Sequence, residues 1–295
     1  MNDPNGVTGP EPVAVGGVRP AYDRRALSYA STFDSPLRSS VIRGVEWMTG
    51  KIAVIRMIRE FEQRGPIEGH RFWTEALDVL GVDIRTPEQE LRHIPRTGPV
   101  VLVANHPHGM VDGMVMAELI GRRRLDYRIL TRSLLTGIDT TASQFLISVP
   151  FPHQADAQER MVEMRRKAMA HLQDGGLVAL FPSGVVATAR SFFGPAEEAE
   201  WNVFTAKMIR LSGASVVPCF FPGANSRAYQ IAHQLSSTLR QSLLIHEIVR
   251  SRGATVRPVI GESLSPADLV PQINEPRSFM AWLRARTLAL GEASG

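Results

Sequence analysis

Residues 100–119 read VVLVANHPHGMVDGMVMAEL, an apolar run broken by Asn105-His106-Pro107-His108-Gly109 that resumes around Asp112. An imidazole beside a carboxylate is a proton-transfer pair. The carboxylate fixes the tautomer by accepting from one ring nitrogen and leaves the other free as a base near neutral pH. Pro107 and Gly109 force a turn, so His106 should project from its tip. Asp112 then opens the next helix, where capping alone would also account for an acid, because the helix dipole favours negative charge. Pairing His108 with Asp112 at i, i+4 requires a helix from His108 onward, which Pro107 and Gly109 oppose. The spacing therefore favours His106 with Asp112.

Histidines and aspartate are also metal ligands, and His106, His108 and Asp112 could serve a metal-dependent hydrolase. Metallohydrolases that begin with His-x-His place the Asp two residues after the second His, whereas the step here is four. The remaining histidines (His70, His93, His153, His171, His233, His246) form no second cluster. The expectation is no metal and no bound cofactor. Two further segments carry polar groups after apolar runs: FPSGVVATAR at 181–190 and VVPCFFPGANSR at 216–227. Ser183-Gly184 makes a turn whose backbone amides can meet an anion. No Gly-x-Ser-x-Gly elbow exists, so Ser183 is not expected to be a nucleophile. Cys219, the sole cysteine, lies in an apolar run and reads as a buried structural thiol.

The elements that must position these groups alternate between strand and helix. Residues 1–35 are rich in Gly, Pro and Asp, without apolar periodicity, and read as a flexible arm. Residues 36–81 form an N-terminal helical segment. Within it, Val41, Ile42, Val45, Met48, Ile52, Ile55, Met57, Ile58 and Phe61 make an apolar face over Ser39–Gln63, with charged residues between. Such a helix either packs on the core or lies in a lipid interface. A second helix is expected from Glu68 to Leu80.

From residue 82 to 295 the pattern is that of one domain. GPVVLVAN, LDYRIL, ASQFLISVPF, LVALF, SVVPCFF and ATVRPVIG read as strands. Helices are expected over 156–173, 201–211, 229–252 and 279–290. This alternation predicts an α/β fold with a central, mainly parallel sheet covered by helices on both faces. With 295 residues, 44% hydrophobic and 21% charged, the chain is an ordinary globular protein. Net charge is +4, almost all of it from arginine, since the lysines are only Lys51, Lys167 and Lys207. No nucleic-acid motif accompanies it, so no nucleic-acid partner is expected. No run reaches the ~18–20 apolar residues of a spanning helix, and no signal peptide is evident. A cytoplasmic protein is expected.

NHPHGMVDG, FPSG and VVPCFFPGANSR, in this order and at these spacings, resemble the glycerolipid acyltransferase family. The closer likeness is to its hemolysin-like branch, which contains the O-acyltransferases of ornithine lipids and related aminolipids. The likeness covers about 69–264. In the family's first motif four residues separate His and Asp; here five separate His106 and Asp112, as in the NHPxGxxDG form of that branch.

The resemblance implies acyl transfer from an acyl carrier protein or coenzyme A thioester to a hydroxyl, with His106 as base and Asp112 orienting it. It assigns Ser183, Gly184, Asn105, Arg132, Arg190 and Arg227 to oxyanion or acceptor binding. The family's third motif usually reads Phe-Pro-Glu-Gly-Thr-Arg, but Ser183 and Val186 stand where its Glu and Arg would be. That loss of a phosphate-gripping arginine turns the expected acceptor from lysophosphatidate to a lyso-aminolipid of ornithine-lipid type. The implied location is the cytoplasmic membrane surface, peripherally on the inner face. The alternatives are a lysophosphatidic acid acyltransferase, the metal-dependent hydrolase, and a non-catalytic lipid-binding protein that needs neither His106 nor Asp112.

Overall fold

The computed structural model describes residues 50–132, 140–151 and 156–292, together with Ser40 and Gly44. In chain order the elements are α1 (Lys51–Gln63), α2 (Arg71–Leu80), β1 (Asp83–Ile84), α3 (Glu88–Leu91), β2 (Val100–Ala104), α4 (Met110–Gly121), β3 (Tyr127–Arg132), α5 (Thr140–Ser143), β4 (Leu146–Val149), α6 (Ala157–Gln173) and β5 (Leu177–Leu180). There follow β6 (Thr188–Ala189), β7 (Ala196–Glu197), α7 (Val203–Ser212), β8 (Ser215–Phe220), α8 (Arg227–Leu235), α9 (Ser237–Ser242), α10 (Leu244–Arg250), β9 (Thr255–Val256), β10 (Val259–Ile260), α11 (Pro266–Leu269) and α12 (Pro276–Glu292). The arm at 1–35 and most of the 39–49 stretch lie outside the described residues.

The expected α/β architecture holds. Six strands in the order β10-β8-β2-β5-β3-β4 form a parallel sheet with one antiparallel edge, β10 on β8. Every residue of β2 and β5 is buried, which is why both read as unbroken apolar runs. Alternation along β2 divides the core. Val100, Leu102 and Ala104 face a cluster with Trp73, Leu77 and Leu119 from α2 and α4. Val101 and Val103 face a second cluster with Leu172, Met208, Phe279 and Leu283 from α6, α7 and α12. Central β2 is thereby buried on both faces, and its end is fixed in depth as well as direction.

The structure corrects three expected elements. ASQFLISVPF divides into α5 and the shorter β4. ATVRPVIG splits around Pro258, so that β9 pairs parallel to β1 while β10 joins β8. The helix expected over 229–252 is three helices, with Ser236 extended (φ −166°, ψ 135°) at the first break. Serine competes with the helical backbone for hydrogen bonds, and the stretch Leu235-Ser236-Ser237-Thr238 is accordingly a weak helix former.

Candidate active site

In an open parallel sheet, reactive groups gather beyond the carboxyl ends of the strands. β8, β2 and β5 are adjacent, and their ends lead directly into Phe221, Asn105-His106 and Phe181-Pro182-Ser183. Gly109 makes the turn after β2 with φ +90°, a conformation that suits glycine, and α4 starts at Met110.

Asp112, on the third residue of α4, is 1% exposed and accepts four hydrogen bonds. His106 Nδ1 reaches Oδ2 at 3.0 Å, and the His108 and Gly109 amides donate to the same oxygen at 2.8 and 3.0 Å. His108 Nδ1 reaches Oδ1 at 2.9 Å. The expectation that Pro107 and Gly109 disfavour a His108–Asp112 pair is therefore corrected. The turn itself, without any helix at His108, swings that ring onto the carboxylate. Capping and pairing also prove compatible, since different donors share the two oxygens. Burial alone would raise the Asp112 pKa, but the bonds from His106 and His108 outweigh it and bring the group down to about 2. An ionised carboxylate only accepts, so both rings present Nδ1–H to it; in a neutral imidazole that tautomer leaves Nε2 as the lone pair.

The two lone pairs serve different spaces. His106 stacks on Phe181, with ring centroids 3.9 Å apart and planes at 17°, and borders a cavity of about 1320 Å³. Val54, Met57, Ile58 and Phe61 of α1 form one apolar wall of that cavity. The described part of the N-terminal helix is thus packed, as the lid side of the cavity. His108 borders a separate compartment of about 240 Å³ with Asn225, Glu247, Arg250 and Ser251.

The loop after β5 closes on the pair, because the Ala187 amide donates to the His106 carbonyl at 2.8 Å. Ser183 and Gly184 both line the large cavity. Ser183 Oγ donates to the Val185 carbonyl, and the Gly184 amide is committed to the Phe181 carbonyl at 2.9 Å. Arg132 also lines the cavity, its guanidinium 3.3 Å from the Pro150 and Gly184 carbonyls and 5.4 Å from the Phe151 ring centroid.

Three expected residues lie elsewhere. Asn105 is buried and clasps the backbone N–H and carbonyl of Phe221, tying the ends of β2 and β8 together. Arg190 pairs with Glu197 across a small hairpin, and Arg227 donates to the Gly194 carbonyl. Each of these side chains is used locally, away from the cavity.

Sequence reasoning missed three residues. Glu198 is buried and accepts the His106 amide at 3.0 Å and Trp201 Nε1 at 3.0 Å, fixing the backbone that carries His106. Arg165 and Arg240 join Arg132 on the cavity wall. Arg240 was hidden by reading 229–252 as one helix, and nothing in the acidic run AEEAEW singles out Glu198. Among the described residues no group of three or more His, Cys, Asp or Glu is placed to hold a metal. Cys219 is buried, and burial pushes its thiol far above the ordinary range, as expected of a structural cysteine.

Residues 86–221 match the family model described as Acyltransferase. Two lyso-glycine lipid O-acyltransferases are similar in sequence. The one from Phocaeicola vulgatus is 24% identical over 62% of this chain and 65% of its own length. The one from Bacteroides thetaiotaomicron is 27% identical over 52% and 58%. The alignments thus span less than two thirds of either relative. The 1-acyl-sn-glycerophosphate (LPA) acyltransferase PlsC from Thermotoga maritima shares the fold, at TM-score 0.50 and 14% identity over 92% of this chain and 88% of that one. Residues 86–221 thus resemble the Acyltransferase family, and lyso-glycine lipid O-acyltransferases are among the proteins similar to this chain.

Proposed function

We propose that this chain transfers a fatty acyl group from a thioester of acyl carrier protein or coenzyme A to the hydroxyl of a lyso-aminolipid. The carrying observation is His106, whose Nδ1 is fixed by ionised Asp112 while its ring faces an apolar cavity of lipid dimensions. His106 Nε2 takes the hydroxyl proton as that oxygen attacks the thioester carbonyl carbon. The C–S bond then breaks, and the leaving thiolate receives the proton from Nε2. No acyl-enzyme is involved. A positioned base contributes about 10²- to 10⁴-fold, and holding both apolar substrates in one cavity supplies much of the remainder. Val185 and Val186 follow Gly184 on the cavity wall, and the proposal assigns the developing oxyanion to their backbone amides.

The relatives' names support an acceptor with a glycine headgroup, a narrower reading than the ornithine type expected from sequence. The wall supports it too. Arg132, Arg165 and Arg240 supply cations for a carboxylate, whereas the side-chain ammonium of an ornithine headgroup would have Glu62 as its only acidic neighbour on that wall among the described residues. The same arginines favour a second reading, lysophosphatidate, over its standing from sequence alone. A competition decides between them. Purified protein receives one acyl donor and equal amounts of lyso-glycine lipid, lyso-ornithine lipid and lysophosphatidate. Preference for the glycine lipid is expected, and preference for lysophosphatidate would overturn the aminolipid reading. Work at the inner membrane surface is part of the proposal; no helix among the described residues is long and apolar enough to cross a membrane.

A further inference from the structure

The segment that lines the cavity at Phe181–Val186 continues into the β6–β7 hairpin, whose tip carries Phe192 and Phe193. Phe193 is 88% exposed and Phe192 44%, and neither belongs to a core cluster. A single exposed apolar residue is ordinary; two adjacent phenylalanines on a braced tip are not.

The bracing is extensive. Thr188 pairs with Glu197 and Ala189 with Ala196, and Arg190 bridges to Glu197 at 2.8 Å. The Gly194 amide turns back to the Ser191 carbonyl and Oγ, and Arg227 from the start of α8 holds the Gly194 carbonyl at 2.6 Å. From the same helix, Gln230 and Gln234 grip the backbone of Ala189. These bonds hold the hairpin while its two aromatic rings stay in water.

We propose that the Phe192-Phe193 tip is a bilayer-contact site that seats the cavity on the lipid surface from which its acceptor comes. This rests on the lysolipid reading above. Two features select a bilayer over a protein partner. The tip is continuous, through exposed Val185, with the wall of an apolar, lipid-sized cavity. Exposed Arg227, whose partner is an uncharged carbonyl, flanks it beside the Arg190–Glu197 pair, so the rings can enter the acyl boundary while a guanidinium that keeps its net charge stays among anionic headgroups.

Cys219 is buried and is the sole thiol, which makes site-specific labelling direct. Phe193→Cys carrying an environment-sensitive fluorophore is mixed with vesicles of phosphatidylglycerol and phosphatidylethanolamine, beside Val270→Cys, at an exposed site on another part of the surface. The Phe193 label should shift to the blue and be quenched by acyl-chain quenchers, while the Val270 label stays unchanged. The Phe192→Ser, Phe193→Ser double variant should bind the vesicles about tenfold or more weakly. Acyl transfer to a short-chain soluble acceptor should persist in that variant, with loss confined to acceptor embedded in vesicles. An unresponsive Phe193 label, or parent-like vesicle binding by the double variant, would overturn the proposal. A shift that tracks protein concentration without vesicles would instead assign the tip to a second copy of the chain. Because the fluorescence reading needs no turnover, a docked protein inactive on every lysolipid would sink the functional reading alone.

Discussion

Asp112 serves two imidazoles at nearly equal distance, yet the spaces on its two sides differ more than fivefold in volume. His106 lies flat on Phe181 at the edge of the large apolar cavity. His108 looks into the small compartment, where Asn225 keeps a buried amide nitrogen without a partner among the described residues and Glu247 is held by Ser226. A histidine–carboxylate distance therefore does not identify a base. Under the proposed chemistry the size of the space beyond Nε2 does, because only the chamber of about 1320 Å³ can bring the hydroxyl of a bound lipid to an imidazole. The small compartment is also largely apolar, but its roughly 240 Å³ offers no room for an acyl chain.

The sharpest way to break this comparison is His106→Ala. Acyl transfer should fall by about 10²- to 10⁴-fold, with the thermal midpoint close to the parent, since the ring is on the cavity edge. A larger loss from His108→Ala than from His106→Ala would reverse the assignment.

Asp112→Asn removes what the two sides share. Its amide can accept through only one atom, so at least one ring loses its bond in a buried place: the His108 ring if the oxygen takes the Oδ2 position, the His106 ring and both backbone donors if it takes Oδ1. Turnover should drop by about 10²-fold or more, and urea unfolding should show a loss of about 1–3 kcal/mol. Here activity and stability fall together, unlike the His106 variant. A parent-like urea midpoint would show that the four bonds contribute little to folding.

The same carboxylate sets an acid limit, together with Glu118 on the same helix. Burial opposes ionisation of Glu118, but bonds from His70, Thr74 and Arg122 bring it down to about 2. Both acids sit below their unfolded values of 3.8 and 4.5. Their contribution is thus complete above about pH 4.5 and is lost as pH falls towards 2, at roughly 2 kcal/mol or more for each. Unfolding followed across that window should steepen in the parent and flatten in Glu118→Gln. Equal slopes would mean that the Glu118 bonds do not stabilise the fold.

Much of this arrangement was legible in the sequence because its causes are local. β2 and β5 are buried on both faces, so their apolar runs stand out, and Pro107-Gly109 announces the turn that aims His106. What stayed hidden depends on distant backbone. The pairing of His108 comes from the three-dimensional path of the turn, not from helical spacing. Glu198 reaches the His106 amide across 92 residues, and Arg240 comes to the cavity only because the chain breaks near Ser236. Arg190 and Arg227 carried the right charge but are engaged by Glu197 and Gly194.

The His108 side can be disturbed alone. His108→Ala leaves the bond between His106 and Asp112 and removes one donor to Oδ1, so roughly a tenfold loss of rate is expected. Gly223→Ala tests the same side from the other direction. Gly223 has φ +96°, and an added Cβ would lie 2.9 Å from His108 Nε2, so the ring must move. Both variants should depress turnover by similar small factors with KM little changed. A large KM effect from either would mean that the small compartment also touches substrate.

The smallest expected effect is none at all. A metal shared by His106, His108 and Asp112 would need atoms that are already engaged with one another. Both Nδ1 atoms and both carboxylate oxygens lie in the hydrogen bonds described above. Coordination through Nε2 would place the two rings' metal sites in different cavities, each with a single imidazole from this motif. Prolonged dialysis against EDTA should therefore leave the acyl-transfer rate within about twofold of the untreated protein, because a neutral, Asp-oriented imidazole needs no Lewis acid to take a hydroxyl proton. Loss of activity on dialysis, restored by zinc or manganese, would show that the hydrogen-bonded pair rearranges around a metal, and the contrast between its two sides would then no longer choose the base.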